Sequence, residues 1–434
     1  MTTTKNNEHK KLNFSSEREQ SQVCLNSAEH EKNQGRKVLN VPNLRFPEFK
    51  GEWKEERLAD IADLYKGTGI SKDQLSDDGE PCILYGELYT KYKSETIREV
   101  ISKTNIDNTK LVRSKANDVI IPCSGETAED IATARCVLNG NILLGGDLNI
   151  IRLHRYDGTF MSYQLNGRRK YDIAKVAQGV SVVHLYGEHL KGVKTINPCL
   201  EEQKKIASLL ALLDERITTQ NKIIEDLKKL KSAISKHLFS RKDLLETTIR
   251  LADIAALKNG YAFQSSKYDT KGKWKILTIA NVSGERYIND DDCNCIINLP
   301  NDIQGHQVLK EGDILISLTG NVGRVSLCKA GNILLNQRVG LLCITKNVNQ
   351  EFLYQVLSSR RFENSMVACG QGAAQMNIGK GDVENFVLPY SSNANNIHLV
   401  ARILHSYDEC IINEQQELTL LTMQKQYLLD QMFI

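Results

Sequence analysis

The side chains of this 434-residue sequence that could do chemistry are hydrogen-bonding groups, not nucleophiles or metal ligands. The nine histidines never fall into an H-x-x-x-H or H-E-x-x-H arrangement, and the eleven cysteines include no C-x-x-C pair. Those are the spacings that zinc needs. Cys293 and Cys295 alternate beside Asp290, Asp291 and Asp292, which reads as a strand edge next to an acidic turn. No G-x-x-x-x-G-K-[ST] loop is present to cradle a nucleotide. Cationic, amide and hydroxyl side chains instead gather near glycines. In the first half these are Lys66, Thr68 and Lys72, then Tyr89-Thr90-Lys91-Tyr92-Lys93, Ser124 to Thr127, Arg168-Arg169-Lys170-Tyr171, and Gln178 to Ser181. In the second half they are Tyr261, Gln264 and Lys267, then Thr319-Gly320-Asn321 with Arg324, Gln337-Arg338, Arg360-Arg361, and Gln371, Gln375 and Asn377. Arg and Gln match guanine and adenine edges, whereas Lys meets phosphate and reads no sequence. A merely solvated basic face has the same composition, so the elements that carry these groups must decide.

Composition sets the bounds. Lys+Arg number 56 and Asp+Glu 53, a formal net charge of +3, which excludes a wholesale polycation and leaves room for local basic patches. With 41% hydrophobic and 25% charged residues the chain is that of a globular protein with a core. Its length suggests two to four domains at ~100–200 residues each. No apolar run approaches the ~18 residues of a membrane helix, and MTTTKNNEHKK has no signal-peptide pattern. Scattered, odd-numbered cysteines suit a reducing cytoplasm. Residues 1–40 are polar and aperiodic and read as a disordered tail; order is expected from the VPNLRFPEF segment at 41–49.

Internal repetition is the strongest signal. Arg57-Leu58-Ala59-Asp60-Ile61-Ala62 recurs unchanged as Arg250-Leu251-Ala252-Asp253-Ile254-Ala255, an offset of 193. KANDVIIPCSG at 115–125 answers KEGDILISLTG at 310–320, offset 195; GNILL recurs at offset 191, and Gln178-Gly179 answers Gln371-Gly372 at 193. Four collinear anchors mean two copies of one unit of about 190 residues.

Each unit ends in a long helix. From Glu201 to Phe239 there is no Pro or Gly, and apolar residues fall at Ile206, Leu210, Leu213, Ile217, Ile224, Leu227, Ile234 and Leu238, spaced 4-3 once Gln220 and Lys231 take their slots. An offset of 194 gives Val400, Leu404, Tyr407, Ile411, Leu418, Leu421, Leu428 and Met432, with Glu414 and Lys425 at the polar slots. A strict seven-residue repeat is a coiled-coil seam. If a pseudo-twofold relates the units, the helices run antiparallel, with Ile206 near Met432 and Leu238 near Val400. Gln220, Lys231, Glu414 and Lys425 could fix the register, solvated fraying being the plainer reading for the two lysines. The rest reads as short strands (DVIIPCSG, NILLGG, LNIIRL, DILISLTG, RVSLC, GLLCI) with helices at 163–177 and 350–368. The fold class is α+β: a tail at 1–40, globular parts at 41–200 and 241–393, and helices at 201–240 and 394–434.

These features resemble a known family. Pro198-Cys199-Leu200-Glu201-Glu202-Gln203-Lys204-Lys205-Ile206-Ala207, followed by Leu213-Asp214, is similar to the P-x-x-x-E-Q-x-x-I-A…L-D string opening the central helix of Type I restriction-modification specificity subunits. LRFPEFKGEW, the two RLADIA starts and the layout over residues 41–434 agree. The second copy keeps Val400, Leu404 and Asp408 but lacks the Glu-Gln pair. The resemblance implies two target-recognition domains, each reading half of a split double-stranded DNA site, separated by an antiparallel coiled coil. It implies no catalytic residues and no cofactor bound by this chain. S-adenosylmethionine, ATP and Mg would be used by partners: two methyltransferase subunits, and restriction-translocase subunits.

Asn197-Pro198-Cys199-Leu200 resembles the N-P-P-[FY] motif of adenine methyltransferases, but Cys replaces the second Pro, Leu replaces the aromatic, and no glycine-rich cofactor turn accompanies it. A coiled-coil scaffold without sequence-specific DNA binding would have no need of two basic, loop-rich units. The repeat also allows that a half, about residues 41–240, could dimerise and read a palindrome.

Overall fold

A computed structural model describes residues 39–107, 109–179, 182–370 and 376–434. The chain forms two compact units, one running up to Asp214 and including Lys425–Ile434, the other Glu215–Gln424. The tail expected at 1–40 falls almost wholly outside the described residues.

In the first unit five strands are ordered Ala62–Lys66, Leu148–Leu153, Asp118–Pro122, Arg135–Val137, Thr96–Ile97. All are antiparallel except the last pair. Asp118–Pro122 is buried at every position, which explains its continuous apolar run. Successive side chains point to opposite faces. Val119 and Ile121 pack with Met161 and Leu165 of helix Gly158–Asn166, while Ile120 packs on the other side with Ile83 and Leu144. Those last two belong to a four-stranded sheet in which Leu143–Leu144 runs parallel to Glu80–Ile83.

The second unit repeats the plan. Ala255–Asn259, Val339–Ile344, Ile314–Ser317 and Val325–Leu327 form an antiparallel sheet, and Trp274–Leu277 pairs in parallel with Ile333–Leu335. Ile314 and Ile316 join one core, Leu315 the other. Each unit closes with a matching ribbon: Lys54–Arg57 against Lys194–Asn197, and Thr247–Arg250 against Val387–Tyr390. The leucines of the two RLADIA copies, Leu58 and Leu251, are fully buried.

The helix expected at 163–177 is two, Gly158–Asn166 and Lys170–Val176, broken at Gly167, where glycine carries the largest helix penalty short of proline. That expected at 350–368 is also two, Gln350–Leu357 and Arg360–Cys369. At the break the Ser358 and Ser359 hydroxyls donate back to the Gln355 and Val356 carbonyls, competing with helix continuation.

The long helices are Leu200–Ser240 and Ala394–Met432. Seam residues Ile206, Leu210, Leu213, Ile224, Leu238, Val400, Leu404, Ile411, Leu421 and Met432 are buried. Ile217, Leu227, Ile234, Tyr407, Leu418 and Leu428 are half-buried. In the second unit Leu238 shares a core with Val400, and the Gln220 amide donates to the Glu414 carbonyl at 3.0 Å, so the helices run antiparallel. In the first unit Ile206 shares a core with Met432.

The lysines of the seam are not frayed into solvent, which corrects the plainer sequence reading. Lys425 bridges Asp214 at 2.6 Å and Glu95 at 2.7 Å, its side chain only 16% exposed. Lys231 pairs with Asp408, 17% exposed. The stems are long enough to carry the ammonium to a buried carboxylate, and the same 194-residue offset relates both partners of the two pairs. Burial lifts the Glu95 carboxyl above its ordinary range against the pull of Lys425. Lys425 itself is held above its usual value: burial opposes its charge, but Glu95 and Asp214 outweigh it.

Candidate nucleic-acid interface

The loops at the sheet ends carry most of the groups singled out by type. In the first unit Lys66 ends its strand exposed, 4.0 Å from Asp147, and Lys72 is exposed in the turn Lys72–Gln74. Lys93 is exposed, its ammonium donating to the Tyr89 carbonyl at 3.0 Å. Gln178 is exposed and its backbone exchanges two hydrogen bonds with His184. Strand Ser124–Gly125 pairs with Val183–His184, so Ser124, Gln178 and His184 come together. Tyr89 joins them through its hydroxyl, 3.2 Å from the Ser124 carbonyl.

In the second unit Gln264, Lys267, Asn321, Arg338 and Arg360 are exposed. Arg324 lies 3.9 Å from Glu363. The Tyr261 hydroxyl donates to Asp302 at 2.8 Å and its ring lies 4.8 Å from Phe263. Arg361 donates to the Val387 carbonyl at 3.4 Å and lies over the Phe386 ring. Thr319 and Asn377 meet across an antiparallel bridge. Ser181, Gln371 and Gln375 lie outside the described residues.

Five candidates have structural employment instead. Tyr92 is 7% exposed in a core with Ile83 and Leu88, and burial pushes its phenol up to about 12; it cannot touch a ligand. The Lys91 ammonium is held by Glu87 and Ser102, both at 2.7 Å. The Thr68 hydroxyl accepts from the Val112 backbone at 3.0 Å. Arg168 donates to the Asp430 carbonyl at 2.6 Å and Arg169 to the Ile434 carbonyl at 3.2 Å. Arg168 therefore caps a carbonyl in the last turn of the distal helix, and Arg169 holds the segment two residues beyond its end. Beside them Phe433 stacks on Phe160 at 5.1 Å. Lys170 is half-buried at the start of its helix. Type and loop position could not separate these roles, because the partners lie far away in sequence.

Among the described residues no cluster of His, Cys, Asp or Glu is placed to hold a metal ion. What the loops offer is hydrogen-bond donors and acceptors at the sheet ends.

Comparison with known proteins decides the family. The family model of the Type I restriction modification DNA specificity domain matches residues 50–229 and again 246–423. The chain belongs to this family. It is a specificity subunit of a Type I restriction-modification system, the non-catalytic component, with two target-recognition domains. The Type I restriction enzyme MjaVIII specificity subunit of Methanocaldococcus jannaschii is 26% identical over 372 residues, covering 80% of this chain and 83% of that protein. The putative MjaX specificity subunit of the same organism is 23% identical over 398 residues, 81% of this chain and 86% of that one. In fold, the specificity subunit resembles the Type I restriction-modification S subunit from M. genitalium, with TM-score 0.58 and 18% identity over 91% of this chain and 99% of that one. It also resembles a chain from a structural study of type I complex assembly and conformational transition, with TM-score 0.51 and 16% identity over 88% and 97% of the two chains. Among the described residues no helix is long and apolar enough to cross a membrane.

Proposed function

We propose that each globular unit reads one half of a bipartite double-stranded DNA target, and that the paired helices set the gap between the half-sites and dock two methyltransferase subunits. The observation that carries this reading is the repeat itself: two sheets of one plan, each followed by a long helix, with the helices antiparallel. One small module makes few base contacts, each contributing ~1–3 kcal/mol of discrimination. Joining two makes the second contact intramolecular. A stiff spacer also rejects half-sites at the wrong distance, because each base pair adds rotation as well as rise.

The DNA contacts are drawn from exposed and half-buried residues at the sheet ends and loops: Lys66, Lys72, Lys93, Ser124 and Gln178 in the first unit, and Gln264, Lys267, Thr319, Asn321, Arg324, Arg338, Arg360 and Asn377 in the second. The lysines meet phosphate; arginines, amides and hydroxyls face bases. S-adenosylmethionine, ATP and Mg belong to the methyltransferase and restriction-translocase partners.

Co-purification with the methyltransferase partner, followed by single-molecule sequencing of DNA modified in cells, tests this. Methyladenine confined to one split motif is the expected result. A stable complex that methylates no motif would overturn the reading role, and a chain that forms no complex would overturn the docking role.

A further inference from the structure

One polar pair stands at equivalent places in both units, and its two versions carry different chemistry. In the first unit the Ser124 hydroxyl lies 3.3 Å from His184 Nδ1, the two residues being cross-strand partners. In the second unit the Thr319 hydroxyl donates to Asn377 Oδ1 at 3.2 Å, again between cross-strand partners. Ser124 and Thr319 are 195 residues apart, and His184 and Asn377 are 193 apart, the offsets of the repeat.

The backbone beneath is equivalent too. Leu185 donates to the Cys123 carbonyl at 2.8 Å, and Ile378 to the Leu318 carbonyl at 2.9 Å. All four of those neighbours are buried. Alternation along a strand then turns the polar pairs away from the core. Each side chain is already held by its hydroxyl partner, so little rotamer freedom remains to be lost on binding. The aromatic surroundings differ: His184 lies parallel to Tyr186, ring centroids 6.1 Å apart, and Tyr186 is 52% exposed. The corresponding position in the second unit is Gly379.

Resting on the bipartite reading above, we propose that these pairs are base-reading positions, one for each half-site: Thr319–Asn377 for an adenine and Ser124–His184 for a guanine. An asparagine amide offers adenine N7 a donor and the N6 amine an acceptor, and the threonine hydroxyl fixes which end is oxygen. With the serine hydroxyl as donor to Nδ1, the tautomer this proposal requires, the imidazole proton stands on Nε2, a donor for guanine N7 or O6.

The test uses the full chain in complex with its methyltransferase partner, with methylated motifs read by single-molecule sequencing. H184N is expected to change base preference at one position of one half-site, and N377H at one position of the other. Discrimination at the affected position should fall about 10- to 100-fold, with the opposite half-site unchanged. S124A and T319V should give smaller changes at the same positions. An unchanged motif in all four variants overturns the proposal, as does one substitution altering both half-sites. A variant that methylates nothing yet keeps the parental melting temperature and complex counts for recognition. If its melting temperature falls, the milder hydroxyl variant decides. A wild-type complex with no split motif defeats the bipartite reading itself, which is a distinguishable failure.

Discussion

Replacing Lys425 by methionine tests whether the seam lysines are structural. The stem is kept and only the ammonium is removed. Asp214 and Glu95 are 7% and 13% exposed, and Asp214 also accepts from the Tyr163 hydroxyl at 2.7 Å and the Ser94 hydroxyl at 3.0 Å. Without Lys425 two carboxylates face each other in a poorly solvated place, with the Arg135 guanidinium nearby but hydrogen-bonded to backbone carbonyls. Breaking a buried pair from one side costs ~3–5 kcal/mol. Lys231→Met should cost less, about 1.5–3 kcal/mol. There Asp408 keeps the Arg286 guanidinium at 3.0 Å and the Gln355 amide at 2.6 Å.

The deficit must also depend on pH. A carboxyl whose folded pKa is raised, as for Glu95, favours folding below its unfolded pKa and loses that contribution as pH rises through the folded one. Removing Lys425 lifts Glu95 further, so K425M should be weakest near pH 7 and recover as the pH falls toward the carboxylate range. Adding Glu95→Gln should restore much of the loss at pH 7. The chain has two tryptophans, and Trp53 lies in the first unit in the core that contains Ile206 and Met432. In a Trp274→Phe background, urea unfolding followed by Trp53 fluorescence reports this unit. A K425M midpoint equal to the parent at every pH would refute the buried-pair argument and return the lysine to solvent.

Arg168→Ala and Arg169→Ala should each lower the stability of the first unit by ~1 kcal/mol without changing the methylated motif; a changed motif at unchanged stability would make them DNA contacts after all. Glu246 should titrate at about 2, because backbone amides, including Ser392 at 2.8 Å, bind its ionised form. Its stabilising effect is full above the ordinary glutamate range and lost as the pH falls toward 2, and an NMR midpoint near 4 would contradict this. Gln220→Glu sets a second carboxylate against Glu414 inside the seam, so its melting temperature should drop at pH 7 and recover in acid; no drop would mean that the pair is solvated. A fragment of residues 41–240 should dimerise, since a second copy offers Lys231 to Asp214 where Lys425 now stands; a monomer in sedimentation would count against it.

What could be read from the sequence was what repeats. The RLADIA copies, the strand runs and the heptads carry periods of 193, 2 and 7 residues, and each period survives single exceptions. Leu238 beside Val400 and Ile206 beside Met432 follow from heptad spacing and pseudo-symmetry alone. The internal breaks in the two short helical stretches were hidden, because one glycine or a pair of serines does not stop a helix by rule. The partners of Arg168 and Arg169 are illegible for a different reason. They are the carbonyls of residues 430 and 434, more than 260 positions away, and a basic run on a loop has the same appearance whichever acceptor it finds. His184 is silent in the sequence because a lone histidine carries no pattern. Its signal was present only in alignment with Asn377, where the repeat sets one polar residue against another.

That contrast between seam and loop bears on how such a chain can change its target without losing its fold. The lysine–aspartate pairs of the seam match across the repeat, Lys231 with Asp408 and Lys425 with Asp214, and each aspartate has a buried tyrosine near it, Tyr354 and Tyr163. The third partners differ completely. Glu95 joins the pair in the first unit, where the half-buried Arg135 guanidinium faces both carboxylates and balances the second negative charge, whereas Arg286 joins in the second, its charge balanced by Glu351 at 2.7 Å. Each globular wall has found its own way to neutralise the same buried aspartate. The demand of the helix pair on its surroundings is thus for charge balance, not for particular residues. Sheets that meet it are free to differ at their loop edges, and Ser124–His184 and Thr319–Asn377 show that freedom at equivalent antiparallel pairings.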